Sequence, residues 1–220
     1  MSHSQDNKCQ TVSWAVGDAP LELGPCIAAI GNFDGVHRGH GKVIEAAIDA
    51  ARKAGVAAAA VTFDPHPREF FRHDDVPFCL ADRIEKDRLL AAAGVDRVIH
   101  VTFDDNLRCT DAAAFVTDIL PAIGVTGLFA GSDFAFGRGR GGDIDTINAM
   151  GADIGIKATA MLLLSDENSA VISSSRIRAA LQAGEVGQAA TMLGHDWAVT
   201  GIVQLAVSYT HLTLPTKNEV

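Results

Sequence analysis

Residues 31–40 read Gly-Asn-Phe-Asp-Gly-Val-His-Arg-Gly-His, and this stretch joins two segments of different character. The run before it, residues 26–30, is short, apolar and bounded by turn residues, as expected of a buried parallel strand. The run after it, residues 40–54, is helical by composition and stops at a glycine. A turn from a strand into a helix collects backbone N–H groups and the positive end of the helix dipole. The stretch therefore predicts a phosphate site within reach of His37 and His40.

The same alternation of apolar runs and helical stretches continues along the chain. About five strands are predicted from short apolar runs, at residues 26–30, 56–63, 98–103, 128–130 and 156–164. Helical composition is found at residues 40–54, 80–93, 111–119 and 144–150. Repeated β-α alternation predicts an α/β fold with a doubly wound parallel sheet and helices on both faces. In such sheets, ligands bind beyond the carboxyl ends of the strands.

Length and composition are those of one soluble globular domain, with 220 residues of which 48% are apolar and 20% are charged. The formal net charge of −9 repels a nucleic-acid backbone, so no nucleic-acid partner is expected. Four cysteines without a C-x-x-C pair suit reduced thiols better than a disulfide framework or a zinc site. Residues 1–8 do not read as a signal peptide and no apolar run has membrane-spanning length, which predicts a cytoplasmic protein without a membrane partner.

The glycine spacing of residues 31–40 matches neither G-x-G-x-x-G nor the P-loop pattern, which disfavours a dinucleotide fold and a P-loop kinase. The stretch resembles instead the H-x-G-H signature of the nucleotidyltransferase superfamily. Its full form, G-N-F-D-G-V-H-x-G-H, resembles the adenylyltransferase module of bacterial bifunctional riboflavin kinase/FAD synthetases. Three more segments match that family in the same order, at residues 62–67 (TFDPHP), 131–137 (GSDFAFG) and 172–178 (ISSSRIR). The resemblance covers residues 20–203, and four motifs in order are far more specific than one loop.

The resemblance implies an activity, a fold and a set of partners. FMN adenylyltransferase, or FAD synthetase, transfers AMP from ATP to FMN and releases FAD and pyrophosphate. ATP and FMN are then the small-molecule partners, and Mg²⁺ is expected to enter with the ATP phosphates rather than on a metal site of the protein. The implied fold is the Rossmann-like nucleotidyltransferase fold. The sequence leaves the oligomeric state open.

The resemblance also implies roles for particular residues. His37, His40 and Arg178 are the expected catalytic residues. The residues expected to bind ATP are Gly31, Asn32, Phe33, His37, His40, Ser174, Ser175 and Arg178. The residues expected to bind FMN are Phe63, Asp64, Pro65, Pro67, Asp133, Phe134 and Phe136. Two positions depart from the family pattern, since Asp133 stands where many relatives have Asn, and Ser175 where many have Thr.

General chemistry is compatible with these roles and also with simpler ones. Attack on the α-phosphorus of ATP builds negative charge, which imidazoles and backbone N–H groups stabilise. A serine before a helix is first of all an N-cap, but three hydroxyls and two arginines in residues 173–178 exceed what a cap requires. Residues 63–67 also read as a rigid turn, and residues 137–143 as a flexible surface loop or as a cover over the nucleotide.

Three alternative functions are weighed against this one. The first is an H-x-G-H nucleotidyltransferase with another acceptor, which the flavin-type segments at Phe63 and Asp133 disfavour. The second is a nucleotide- or flavin-binding fragment without turnover. The third is a zinc hydrolase that uses histidines and aspartates of neighbouring loops, and the spacing of His37 and His40 argues against it.

The end of the chain changes in character. Residues 1–203 are expected to form the adenylyltransferase domain with a short exit segment. Residues 204–220 stop resembling the family and are expected to be a non-native or disordered tail. The riboflavin kinase domain, which needs roughly another 100 residues, is expected to be absent, and riboflavin phosphorylation with it.

Overall fold

The computed structural model describes residues 9–71 and 78–199, and all four motifs lie within these ranges. The predicted end of the adenylyltransferase domain at residue 203 and the predicted tail at 204–220 lie outside the described residues. Within the described ranges, no helix combines the length and the apolar character needed to cross a bilayer.

A six-stranded sheet forms the centre of the described structure, and every neighbouring pair of strands is parallel. Its strands are β1 (Gln10–Trp14), β2 (Cys26–Ile30), β3 (Ala57–Asp64), β4 (Arg97–Thr102), β5 (Val125–Gly131) and β6 (Lys157–Met161). Their order across the sheet is β1-β4-β3-β2-β5-β6, so β2 lies between β3 and β5. The loops that follow these three strands therefore share one edge of the sheet, as the fold prediction requires.

The predicted count of about five strands is one too low, because β1 carries a weaker signal than the central strands. Of its five residues only Trp14 is buried, whereas β2, β3 and β4 are almost continuously buried. A strand buried on both faces reads as an apolar run, but an edge strand that contains Gln, Thr and Ser does not. β1 nevertheless pairs with β4 over its full length.

Helices connect the strands. They are α1 (Arg38–Ala54), α2 (Pro67–Phe71), α3 (Arg83–Ala92), α4 (Asp105–Cys109), α5 (Ala112–Ala114), α6 (Leu120–Ala122), α7 (Ile144–Gly151), α8 (Ser174–Gln182) and α9 (Val186–Leu193). The helix predicted at 80–93 begins later than expected, because Asp82 caps α3 and accepts the backbone N–H of Glu85. The helix predicted at 111–119 is divided by a π-helical turn between α5 and α6. Pro121 follows that turn, and its missing N–H removes the regular helical bond there.

The helices cover both faces of the sheet, which confirms the doubly wound arrangement. α1 and α3 lie on one face, with Ile44 and Leu90 in its apolar cluster. α5 to α7 lie on the other face, with Phe115 and Ile147 in its cluster. α8 and α9 pack together in a third cluster, which also contains Leu80 from the segment before α3.

Candidate active site

The loop between β2 and α1 is a tight turn. Asp34–Val36 forms a 3-10 turn in which Gly35 has a φ of 75°. A Cβ at Gly35 would lie 2.9 Å from the Leu80 side chain, so a larger residue does not fit without movement. The turn leads to His37, the N-cap of α1, whose Nδ1 accepts the His40 backbone N–H at 3.3 Å. Both histidines therefore lie at the positive end of α1.

The two histidines form a stacked pair, with ring centroids 3.6 Å apart and planes 13° from parallel. Burial lowers the pKa of His37 to about 4, although the Asp34 carboxylate acts in the opposite direction. Burial, His37 and the Lys86 ammonium hold the pKa of His40 well below its ordinary value. Both rings are therefore neutral near pH 7, and they can serve a ligand as hydrogen-bond donors but not as cations.

The cap contact determines the tautomer of His37. A ring nitrogen that accepts a hydrogen bond carries no proton, so the proton of the neutral ring is on Nε2. The Nδ1 atom of His40 is buried and has no hydrogen-bond partner among the described residues. A buried polar atom without a partner is expected to meet a bound polar group.

A buried ion pair joins this loop to α8. Asp34 and Arg178 are 2% and 5% exposed, and Arg178 Nη2 donates to Asp34 Oδ2. Asp34 Oδ1 accepts the backbone N–H groups of Leu80 at 2.8 Å and Ala81 at 3.3 Å. Arg178 Nε donates to the Phe78 carbonyl at 2.9 Å, whereas its Nη1 is buried without a partner among the described residues. The charge of Arg178 is thus balanced within the protein, and part of its guanidinium is left for a ligand.

The three serines at the start of α8 make different contacts. Ser173 caps the helix with its side chain. Ser174 Oγ donates to the Asp34 carbonyl at 3.0 Å, which ties the helix start to the turn after β2. Ser175 Oγ accepts from both terminal nitrogens of Arg68, at 3.4 and 3.5 Å. One of the three serines is therefore a cap, and the other two contact neighbouring loops.

Five of the residues expected to bind ATP thus form one connected group. We call this group the phosphate side of the site, and its members are His37, His40, Ser174, Ser175 and Arg178. The remaining three precede the turn. Phe33 is 1% exposed and meets the His40 ring edge to face, so only its backbone is open to a nucleotide. Gly31 faces the Phe33 ring, and the exposed Asn32 accepts the Thr62 hydroxyl with its carbonyl.

The residues expected to bind FMN follow β3 and β5, the two neighbours of β2. We call four of them, Phe63, Asp64, Asp133 and Phe134, the acceptor side of the site. Phe63 is buried, and Phe134 packs against the same apolar cluster. Asp64 is half-buried and pairs with Arg83 at 2.7 Å, and Asp133 is exposed. The acceptor side is therefore a set of aromatic side chains with carboxylates at its rim.

The other residues of the two flavin segments have structural positions of their own. Phe136 is buried, and its ring centroid lies 5.7 Å from that of Phe134 and 4.7 Å from that of Phe115. Pro65 is exposed, and Pro67 is the first residue of α2. The buried Phe136 ring thus packs against the Phe134 ring, whereas Pro65 is open to solvent.

Comparison with known proteins agrees with the motifs. The profile of the family described as FAD synthetase matches residues 20–176. This chain belongs to the FAD synthetase family. The bifunctional riboflavin kinase/FMN adenylyltransferase of Escherichia coli (strain K12) is 37% identical over 189 residues, which are 86% of this chain and 59% of that protein. The FAD synthetase of Listeria monocytogenes serovar 1/2a is 34% identical over 179 residues, which are 81% of this chain and 72% of that protein.

A solved structure shares the fold of this FAD synthetase family member. It is a crystal structure described as a macrolide-efflux protein from Streptococcus pneumoniae, with a TM-score of 0.74 and 23% identity. The match covers 85% of this chain and 60% of that one, and at this identity it concerns the fold alone. The family member spans 59% of the length of its Escherichia coli relative.

Several charged residues at the site were not predicted from the sequence. Arg68, Arg83 and Lys86 lie on α2 and α3, where cations usually form a solvated surface. Asp34 lies inside the quoted stretch, but its burial and its pairing with Arg178 depend on a contact across 144 positions of chain. A signal exists for Lys86, because it stands four positions before the buried Leu90 and therefore on the inner face of α3.

Proposed function

We propose that this member of the FAD synthetase family transfers AMP from ATP to FMN, giving FAD and pyrophosphate. The observation that carries the proposal is the connection of the H-x-G-H loop to the start of α8, through the Ser174 hydrogen bond and the Arg178 ion pair to Asp34. This connection brings the N-termini of two helices together with polar atoms that lack partners among the described residues. Two helix N-termini with free polar atoms between them are suited to bind a ligand with several phosphates.

In the proposed reaction a phosphate oxygen of FMN attacks the α-phosphorus of ATP in line. The bond from the α-phosphorus to the bridging oxygen breaks, pyrophosphate leaves, and no covalent enzyme intermediate forms. His37 and His40 donate N–H groups to the non-bridging oxygens, whose negative charge grows in the transition state. Ser174, Ser175 and the open edge of Arg178 hold the leaving phosphates.

The acceptor side receives the flavin of FMN. An isoalloxazine ring needs an apolar or aromatic wall and a few placed polar groups, which Phe134, Asp64 and Asp133 supply. The names of the Escherichia coli and Listeria relatives support this choice of acceptor. Mg²⁺ enters with the ATP phosphates, and among the described residues no group of three His, Cys, Asp or Glu side chains is arranged to hold a metal ion. The proposed reaction takes place in the cytoplasm.

Chromatography of flavins tests the proposal. The purified chain is incubated with Mg-ATP and either FMN or riboflavin, and the released pyrophosphate is measured in parallel. We expect FAD from FMN, in equal amount with pyrophosphate, and no reaction once EDTA removes the Mg²⁺. The riboflavin arm also tests the prediction that riboflavin is not phosphorylated.

Two results would overturn the proposal. Binding of ATP and FMN without pyrophosphate release would identify a binding module without turnover. Pyrophosphate release that requires an acceptor other than FMN would identify a different nucleotidyltransferase. A catalytically inactive variant of the same chain, such as His40→Ala, serves as the control for contaminating enzyme.

A further inference from the structure

Lys86 on α3 is a buried cation that has no ion-pair partner among the described residues. It is 7% exposed, and within residues 9–71 and 78–199 its ammonium makes no ion pair and no hydrogen bond. Arg178, the other buried cation in the described part of the chain, is balanced by Asp34. An ammonium largely withdrawn from water is costly unless an anion meets it. The isolation of Lys86 therefore requires an explanation.

The Lys86 ammonium lies beside the phosphate side of the site. α3 packs against the 3-10 turn that precedes His37. The charge of Lys86 contributes, after burial and His37, to the low pKa of His40. Burial also lowers the pKa of His66, where Asp34 opposes the shift and Lys86 adds to it. The ammonium is therefore close to both the H-x-G-H loop and the turn after β3.

The carboxylates around Lys86 are engaged by other groups. Asp34 forms the buried pair with Arg178. Asp87 lies 2.7 Å from His100 Nε2, and Glu69 accepts the Cys79 thiol at 2.7 Å. None of these carboxylates forms an ion pair with Lys86. Among the described residues, no carboxylate is thus paired with Lys86, and that position is open to the anion of a ligand.

We infer that Lys86 is a phosphate-binding catalytic residue, whose ammonium contacts a phosphate group of the bound substrates. The inference rests on the proposed function. Its physical reason is that the stacked histidines are neutral and Arg178 is balanced, so among the described residues the phosphate side has its uncompensated positive charge from the exposed Arg68 and the buried Lys86. A buried ammonium attracts a phosphate much more strongly than a solvated one does, because water screens it less. Lys86 supplies the charge that the neutral imidazoles lack.

The test compares Lys86→Met with Lys86→Arg and with Lys53→Met. Methionine keeps the length of the side chain and removes its charge, arginine keeps the charge, and Lys53 is an exposed lysine of α1. Calorimetry measures the Kd of ATP, inorganic pyrophosphate, FMN and riboflavin for each variant. Thermal unfolding without ligand is measured on the same samples.

We expect Lys86→Met to weaken the binding of at least one phosphate ligand by about 10- to 100-fold, the range for losing one charge-assisted hydrogen bond. Weaker ATP and pyrophosphate binding assigns the contact to the leaving phosphates, and weaker FMN binding with unchanged riboflavin binding assigns it to the acceptor phosphate. Lys86→Arg should retain part of the affinity that Lys86→Met loses, and Lys53→Met should leave the Kd values of all four ligands unchanged. The Tm of unliganded Lys86→Met should be equal to or above that of the wild type, since an unpaired buried charge is removed.

Two results would overturn the inference. The first is unchanged Kd values for all four ligands in Lys86→Met. The second is a lowered Tm of the unliganded variant together with equal losses for riboflavin and for the phosphate ligands, which would show a structural role. Failure of the proposed function is distinguishable, because a wild type that binds pyrophosphate through Lys86 but forms no FAD from FMN contradicts the reaction and leaves the phosphate contact standing.

Discussion

The phosphate side and the acceptor side of the site are built differently, although both lie beyond the carboxyl ends of neighbouring strands. On the phosphate side, a buried carboxylate, Asp34, connects the turn after β2, the segment before α3 and the start of α8. On the acceptor side, aromatic side chains pack on the sheet, the carboxylate of Asp64 is half-buried in an ion pair with Arg83, and that of Asp133 is exposed.

This difference fits what each half of the proposed substrates requires. Negative charge that develops on the oxygens of a reacting phosphate is stabilised by donors held in place before the reaction, and such donors need a hydrogen-bonded support. A flavin ring is bound mainly by apolar contact area, which tolerates small movements of the side chains. The phosphate side should therefore be sensitive to single changes in its support, and the acceptor side should tolerate changes at its rim.

The largest expected effect follows from Asp34→Ala. This change leaves the Arg178 charge and two backbone N–H groups buried without partners, and we expect a loss of about 3–5 kcal/mol in the free energy of unfolding. The matched change on the acceptor side, Asp64→Ala, breaks a half-exposed ion pair and should cost about 0–1 kcal/mol. Urea unfolding measures both. Similar small losses in the two variants would show that the buried network does not hold the site together.

The next effect concerns the stacked histidines. We expect His37→Ala and His40→Ala each to lower the rate of FAD formation by roughly 100-fold or more, as for the loss of one transition-state donor. His37→Asn is the matched control for folding, because asparagine also caps helices while it lacks the imidazole. The His37→Asn variant should keep the stability of the wild type and show the same loss in the rate of FAD formation as His37→Ala. Near-normal FAD formation by these variants would remove the histidines from the reaction.

The third effect is a dependence of stability on pH. Burial places the pKa of His37 at about 4 in the folded protein, against an ordinary value of 6.5. Between these values the unfolded chain binds more protons, so stability rises with pH across this window and is lost as the pH falls. When the pH falls from 7.5 to 5, the free energy of unfolding of the wild type should decrease by about 2 kcal/mol more than that of His37→Asn. Urea unfolding at both pH values measures the difference, and equal losses would contradict a neutral, buried His37.

The smallest effect is expected at the rim of the acceptor side. Asp133→Ala should weaken FMN binding by a few fold and leave ATP binding unchanged, and Asp133→Asn should retain or improve FMN affinity, because the amide also donates hydrogen bonds. Both changes are at an exposed position and should hardly alter stability. Fluorescence titration of FMN measures these affinities. An equal loss of ATP binding would move Asp133 to the phosphate side.

The structure also changes how Phe63 is best tested. Phe63 is 9% exposed and belongs to the apolar cluster of its sheet face. Truncation to alanine should cost about 3–5 kcal/mol of stability, as for other core phenylalanines. A loss of FMN affinity in Phe63→Ala would therefore have two causes, whereas the half-buried Phe134 allows a cleaner change.

Local patterns were sufficient to predict the doubly wound parallel sheet, because strands buried on both faces have to be apolar and glycines mark the turns between strands and helices. They were not sufficient for β1, whose polar residues tolerate an edge position. The motifs identified the family and indicated the histidines and serines as site residues, since these lie in short contiguous segments.

The balance of charge in the site does not follow from such segments. Asp34 meets Arg178 only when α8 folds back onto the turn after β2. Among the described residues, the carboxylates near Lys86 bond to other groups and leave it without an ion pair. Burial and pairing are properties of the packed chain, and they decide which of these charges is left for a ligand.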